Sequence, residues 1–200
     1  MKETFDRYGY TVLLHEKPFQ EINGSGKHAN WSLFYTEENG KLNNLLAIPK
    51  KNEEIQLFQL FILITLAALK RHNALFFASI APPGNEIRLG GHEAPPRIIS
   101  ASLGDTVNAL VDELVLPERK NLKDVLPFLK DDVFQEDTDR NRTSAFPYTG
   151  QKFEFRSLGS SQNAAFPMSV ICATLAKEME WVEKKLIGGR SVEEIIAELR

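Results

Sequence analysis

The sequence predicts an α+β fold. Strand-like runs at residues 10–15, 31–35 and 42–48 precede a long apolar segment at 55–69, and helical spacing dominates much of the chain beyond it. The regular alternation of strand and helix that marks a parallel sheet is missing, so antiparallel strands packed with helices are expected. With 200 residues, 42% of them hydrophobic, the chain has enough apolar material for one domain with a real core.

Each element has a local reason. Tyr10, Thr11 and Val12 favour a strand, as does the alternation from Trp31 to Tyr35. Residues 55–69 are nearly all apolar, with Asn52 placed to cap them. Glu53 and Glu54 suit the positive end of a helix there, and Lys70, Arg71 and His72 the negative end. Gln56, Gln59 and the short length argue against a bilayer span, so a buried helix is expected. At 104–116, Val107, Leu110, Val111, Leu114 and Val115 recur at helical spacing behind Asp105, until Pro117 ends the run. Residues 120–142 turn charged and irregular, which predicts a long surface loop with at most one short helical turn. A helix is expected at 166–187, with Glu178 and Glu180 on its solvated surface. Gly188-Gly189 stops it, and Ser191 with Glu194 forms a capping box for a final helix.

Charge and cysteine content exclude several classes. The net charge of −3, with 26% charged residues, supplies no basic field for nucleic acid or an acidic membrane. Any anionic ligand must be held by locally placed cations. The single cysteine, Cys172, rules out an internal disulfide framework and suits a reducing compartment. No charged-then-apolar leader opens the chain, so a cytoplasmic location is expected and the three glycosylation triplets (at Asn23, Asn30 and Asn141) read as chance matches.

Four constellations carry possible chemistry. Asn23-Gly24-Ser25-Gly26-Lys27-His28 contains Gly-Lys but fails as a phosphate-binding P-loop, because Glu21 and His28 stand where that loop needs glycine and a hydroxyl residue. Turn chemistry favours a hairpin connection there, with Asn-Gly supplying positive φ angles. Lys152-Phe153-Glu154-Phe155-Arg156, read as a strand, points two phenylalanines one way and three charges the other. That pattern fits a solvated edge strand, and equally a carboxylate flanked by cations facing metal and phosphate. Asp139-Arg140-Asn141-Arg142-Thr143-Ser144 delivers two guanidinium groups just upstream, suited to paired oxygens. Arg88-Leu89-Gly90-Gly91-His92-Glu93-Ala94-Pro95-Pro96 describes an ordered, bent loop, or a structural corner.

The order of these motifs, with Lys17-Pro18 ahead of them, resembles the glutamine synthetase family, and most of all its large type III branch. The likeness spans residues 14–166, which makes 1–200 a partial catalytic domain whose part from 166 to 200 is helical. The fold implied is the C-terminal portion of that catalytic domain. The resemblance implies ATP-dependent joining of ammonia to L-glutamate through γ-glutamyl phosphate. By likeness, His28 and Glu154 would ligate one divalent metal, Mg²⁺ or Mn²⁺, beside the ATP phosphates. Asn23 and Gly24 would line the glutamate pocket, and Arg88 would bind a glutamate carboxylate. Arg142 and Lys152 would steady the transferring phosphate, and Arg156 would hold the substrate side-chain carboxylate. Ser32 would touch the nucleotide, Asn30 would hydrogen-bond nucleotide or phosphate, and Glu93 would sit on a flap over the acyl phosphate, helping deprotonate ammonium.

The sequence also departs from the better-known type I pattern. Asn30 replaces a second histidine, Lys152 replaces an arginine, and the spacing from Arg88 to Glu93 is one residue shorter. The Glu-x-Glu strand and two further glutamates that complete the family's metal sites are not found before Asn23, where Glu3, Glu16 and Glu21 stand in no such arrangement. Two metal ligands are therefore expected here, and weak metal binding with them. Three possibilities are consistent with this: a segment of a longer enzyme, a split enzyme completed by another chain, or a non-catalytic relic that binds nucleotide or other glutamine synthetase subunits.

Overall fold

A computed structural model describes residues 1–49, 51–112 and 144–200. Two strands far apart in sequence carry its main pairing: β1 (Gly26–Trp31) runs antiparallel to β6 (Phe153–Gly159). Alternation along β6 buries Phe153 and Phe155 completely and turns Glu154 to the other face. Lys27 opposes Leu158 and Ala29 opposes Phe155, so His28 faces two residues, Arg156 and Ser157. This bulge resets the phase of the strand. It lets Leu158, three residues after Phe155, return to the core while Arg156 stays beside Glu154.

The remaining strands are short. β2 (Phe34–Thr36) and β3 (Leu42–Asn44) form an exposed antiparallel hairpin. β4 (Ala101–Ser102) meets β5 (Phe146–Pro147) in a two-residue parallel contact, an addition to the antiparallel pattern expected. A tight turn joins β5 to β6, where Thr149 N–H donates to the Lys152 carbonyl at 2.8 Å and Gly150 takes φ 88°.

Helices close the other side. α1 (Lys2–Asp6) buries nothing. α2 (Ile55–Arg71) packs against α3 (Asn73–Ser79), α5 (Asp105–Asp112), α6 (Ala165–Ile187) and α7 (Val192–Leu199); α4 (Pro83–Arg88) lies against β6. Asn52–Arg71 is apolar and long enough to cross a membrane, but 61% of its most apolar window is buried in the protein, as a core helix requires. Between helices and sheet sits an aromatic cluster centred on Phe146, whose ring lies 5.2–6.1 Å from those of Phe155, Phe153, Trp31 and Phe76.

The α+β class, the buried helix, the helix before Gly188 and the Ser191–Glu194 capping box all stand as the sequence predicts. Several details differ. Residues 10–15 form no strand, and among the described residues no strand pairs with their backbone. The run 31–35 is split, since Trp31 ends β1 and Phe34 opens a separate hairpin; only Leu42–Asn44 of 42–48 is strand. Asn52 makes no side-chain cap and instead opens a short 3₁₀ turn, Asn52–Glu54. Glu178 is not solvated: it is 3% exposed, accepts from Arg71 and lies 3.3 Å from His72 Nε2. α6 turns it toward the end of α2, where those two basic side chains stand; Arg71 also covers Trp181 at 5.2 Å. The end of the helix predicted at 104–116 and the loop at 120–142 lie outside the described residues.

Phe146→Ala removes the ring that joins sheet to helices, and a loss of about 3–5 kcal/mol is expected in urea unfolding. Ser191→Ala removes only the α7 cap and is expected to cost about 1 kcal/mol in the same measurement.

Candidate active site

Glu154 organises one corner of the site. Strand period places it on the face opposite the phenylalanines, across from Asn30 on β1. Its Oε1 lies 3.3 Å from His28 Nδ1, and its Oε2 accepts from Arg156 Nε at 2.6 Å. Burial pushes the Glu154 carboxyl up, but the Arg156 hydrogen bond and charge, with His28 behind them, outweigh it and hold the group below its ordinary range. The His28 side chain is 52% exposed, whereas Glu154 and Arg156 are mostly covered. The arrangement is an imidazole and a guanidinium sharing one ionised carboxylate, open on the histidine side.

The glycine-rich run behaves differently from a hairpin turn. Neither Gly24 nor Gly26 takes a positive φ, and Gly26 already belongs to β1, so the hairpin reading is corrected. These glycines are needed for close approach. A Cβ at Gly26 would stand 2.7 Å from Arg88 Nη1, and one at Gly24 would stand 3.0 Å from Arg88 Cγ and overlap the Glu16 carbonyl. Arg88 ends α4 rather than sitting on a loop, and is 5% exposed beneath the run. Its Nε donates to Asn85 Oδ1 at 2.8 Å and its Nη2 to the Leu158 carbonyl at 3.1 Å. Burial lowers the Arg88 pKa, against the opposing charge of Glu16.

The bent loop after α4 is ordered as expected. Gly90 N–H donates to the Pro95 carbonyl at 2.9 Å, closing it. Glu93 sits in the left-handed region at φ 52°, a conformation few non-glycine residues hold, and its Oε2 accepts from Asn23 Nδ2 at 2.6 Å. Asn23 and Glu93, 70 residues apart in sequence, are therefore brought together.

Ser32 and Lys152 share another corner. Ser32 Oγ lies 2.5 Å from Asn44 Oδ1 and 3.0 Å from the Gln151 carbonyl, in the β5–β6 turn. Lys152 Nζ donates to Thr149 Oγ1 at 2.8 Å in that same turn, apart from the Glu154–Arg156 pair in its hydrogen bonding. Asn30 is exposed on β1 opposite Glu154. Arg142, with Arg140 and Asn141, lies outside the described residues.

The metal expectation can be tested on the donor set. His28 and Glu154 are close enough to converge on one divalent ion, and imidazole with carboxylate suits Mn²⁺ or Mg²⁺. Among the described residues no group of three or more His, Cys, Asp or Glu side chains is gathered for a metal. The residues present fit one corner of such a site.

One buried carboxylate escaped the sequence reading. Glu16 is 4% exposed, and its Oε1 accepts from the Ser161 amide at 2.9 Å and the Ser161 hydroxyl at 2.5 Å. Burial raises its pKa, but these hydrogen bonds and the Arg88 charge hold it below the ordinary value. Its only sequence signal is proximity to Lys17-Pro18; a charged residue in an irregular stretch reads as solvated.

The comparisons with known proteins agree with the motifs. No family model matches the chain. It is 38% identical over 197 residues to a type-3 glutamine synthetase of Dictyostelium discoideum, covering 94% of this chain and 26% of that protein. It is 40% identical over 187 residues to a glutamine synthetase of Bacteroides fragilis (strain YCH46), covering 90% of this chain and 25% of the relative. A Butyrivibrio fibrisolvens glutamine synthetase is 39% identical over 158 residues, 77% of this chain and 22% of its own length. These matches place the chain in a ligase family. More particularly, it belongs to the glutamine synthetase family, and it spans about a quarter of the length of the curated relatives it matches, in their C-terminal part.

The lowered carboxyls of Glu16 and Glu154 carry the same pH consequence. A group whose pKa falls on folding adds stability that is full above its unfolded value, about 4.3, and is lost as pH drops through the folded value. The urea midpoint is expected to fall as pH drops below about 4.3, and to fall less in Glu16→Gln, which has no such proton to take up.

Proposed function

We propose that this chain supplies the cation-rich, phosphate-facing part of a glutamine synthetase active site, in which ATP, L-glutamate and ammonia give glutamine, ADP and phosphate. The observation that supports this best is the His28–Glu154–Arg156 cluster, held on two paired strands within a chain of this family. A divalent ion held by His28 and Glu154 would supply charge neutralisation at the phosphate oxygens. The residues do the rest. Arg156, fixed by its bond to Glu154, turns its guanidinium to the substrate carboxylate or its phosphorylated form. Lys152 and, by the likeness of its motif alone, Arg142 would steady the transferring phosphate. Ser32 and Asn30 contact the nucleotide, and Asn23, Gly24 and Arg88 shape and charge the glutamate pocket.

The reaction balances in two displacements. The glutamate γ-carboxylate attacks the γ-phosphorus of ATP and releases ADP; ammonia then attacks the acyl carbon and releases phosphate. Glu93 takes the proton that the ammonium must lose, and its loop covers the acyl phosphate against water. The bond from Asn23 keeps Glu93 over the glycine run while the site is closed. The setting is cytoplasmic, with oligomeric partners of the same family.

A second reading is favoured by the donor count, which is two ligands for one metal among the described residues. On that reading the chain alone binds nucleotide or other glutamine synthetase subunits without turnover. A γ-glutamyl hydroxamate assay separates the two. Activity is expected only after addition of a chain bearing further carboxylates, and Arg156→Ala is expected to lower it by about 10²–10³-fold. No activity under any complementation leaves the second reading; robust activity of the isolated chain would overturn the two-ligand argument. Electron paramagnetic resonance titration is expected to show weak Mn²⁺ binding that His28→Ala abolishes.

A further inference from the structure

Glu16 makes more connections than a surface carboxylate needs. Its neighbours His15 and Lys17 lie on an irregular stretch, yet its own side chain enters a slot walled by two glycines. A Cβ at Gly159 would stand 2.5 Å from Glu16 Oε1, and one at Gly84 would stand 2.9 Å from Oε2. Ser161 closes the slot with its amide and hydroxyl. The backbone of the same residue is equally committed, since the Glu16 carbonyl accepts from Ser25 N–H at 2.8 Å.

These contacts converge on the glycine-rich run from one side while Arg88 holds it from beneath. Side chain and carbonyl of Glu16 thus tie together four segments: the run 23–26, the start of α4 at Gly84, the end of β6 at Gly159, and the turn at Ser161. Arg88 donates to Asn85 and Leu158, and the Glu16 charge offsets the burial of its guanidinium.

We propose that Glu16 is a positioning residue of this site: holding the Ser25 amide on its carbonyl, with Arg88 packed beneath Gly24 and Gly26, it fixes the run 23–26, which begins at Asn23 and leads into the strand that carries His28. The bearing of this placement on ligands rests on the functional reading above. The placement itself does not.

The test uses the whole chain and two variants, Glu16→Ala and the isosteric Glu16→Gln. Hydrogen exchange is read at the Ser25 amide and across α2, and Mn²⁺ affinity is read by electron paramagnetic resonance. In Glu16→Ala the Ser25 amide is expected to exchange at least about tenfold faster while α2 keeps its protection. Mn²⁺ binding is expected to weaken by about tenfold or more. Glu16→Gln, which keeps the acceptor for Ser161 and loses the charge, should restore part of both. In an Arg88→Gln background Glu16→Gln should add little further, because the two act on one another. Unchanged Ser25 exchange in Glu16→Ala would overturn the proposal, as would a uniform loss of protection through α2, which marks a purely structural role. If the unsubstituted chain binds no Mn²⁺, the metal reading fails while the Ser25 measurement still decides the role of Glu16.

Discussion

The antiparallel pairing of β1 with β6 is the constraint on which the other features depend. These strands lie more than a hundred residues apart, so their pairing closes most of the chain into one unit. One face of the pair carries Phe153, Phe155, Leu158 and Trp31 into the aromatic core. The other face presents His28, Glu154 and Arg156. Core packing and site geometry are thus two sides of one ladder. A residue that slips in register would move both together.

Beside this ladder, buried charge is handled by small residues. Arg88 and Glu16 are both nearly inaccessible, which is costly unless each is paired and hydrogen-bonded. Asn85 shares in this, donating from its side-chain amide to the Ile80 and Ser157 carbonyls while accepting from Arg88 Nε. Glycines at 24, 26, 84 and 159 leave the room that these charged groups occupy. What the sequence shows as a flexible, turn-forming composition is in the structure a set of contact surfaces.

Part of this was legible in the residues. The two-residue period of Phe153 to Arg156 assigns the phenylalanines and the charges to opposite faces of β6, because strand geometry permits no other division. The capping box at Ser191 and the buried helix at 55–71 were equally readable, being local patterns. The bulge opposite His28 was not, since it is a property of register between two distant strands. Glu16 and Glu178 were missed for a related reason: each is drawn inside by partners from elsewhere in the chain, Ser161 with Arg88 and Arg71 with His72. Turn chemistry alone favours a hairpin at the glycine run, because composition does not distinguish a need for positive φ from a need for space.

The bulge has a consequence beyond aiming side chains. Among the described residues β1 has a strand partner on one side only, and an open strand side of six residues is a template on which other chains can add. A bulge increases the local twist of a two-stranded ribbon and breaks the even spacing that a flat incoming strand requires. The same irregularity that returns Leu158 to the core therefore also makes this ribbon a poorer template for strand addition.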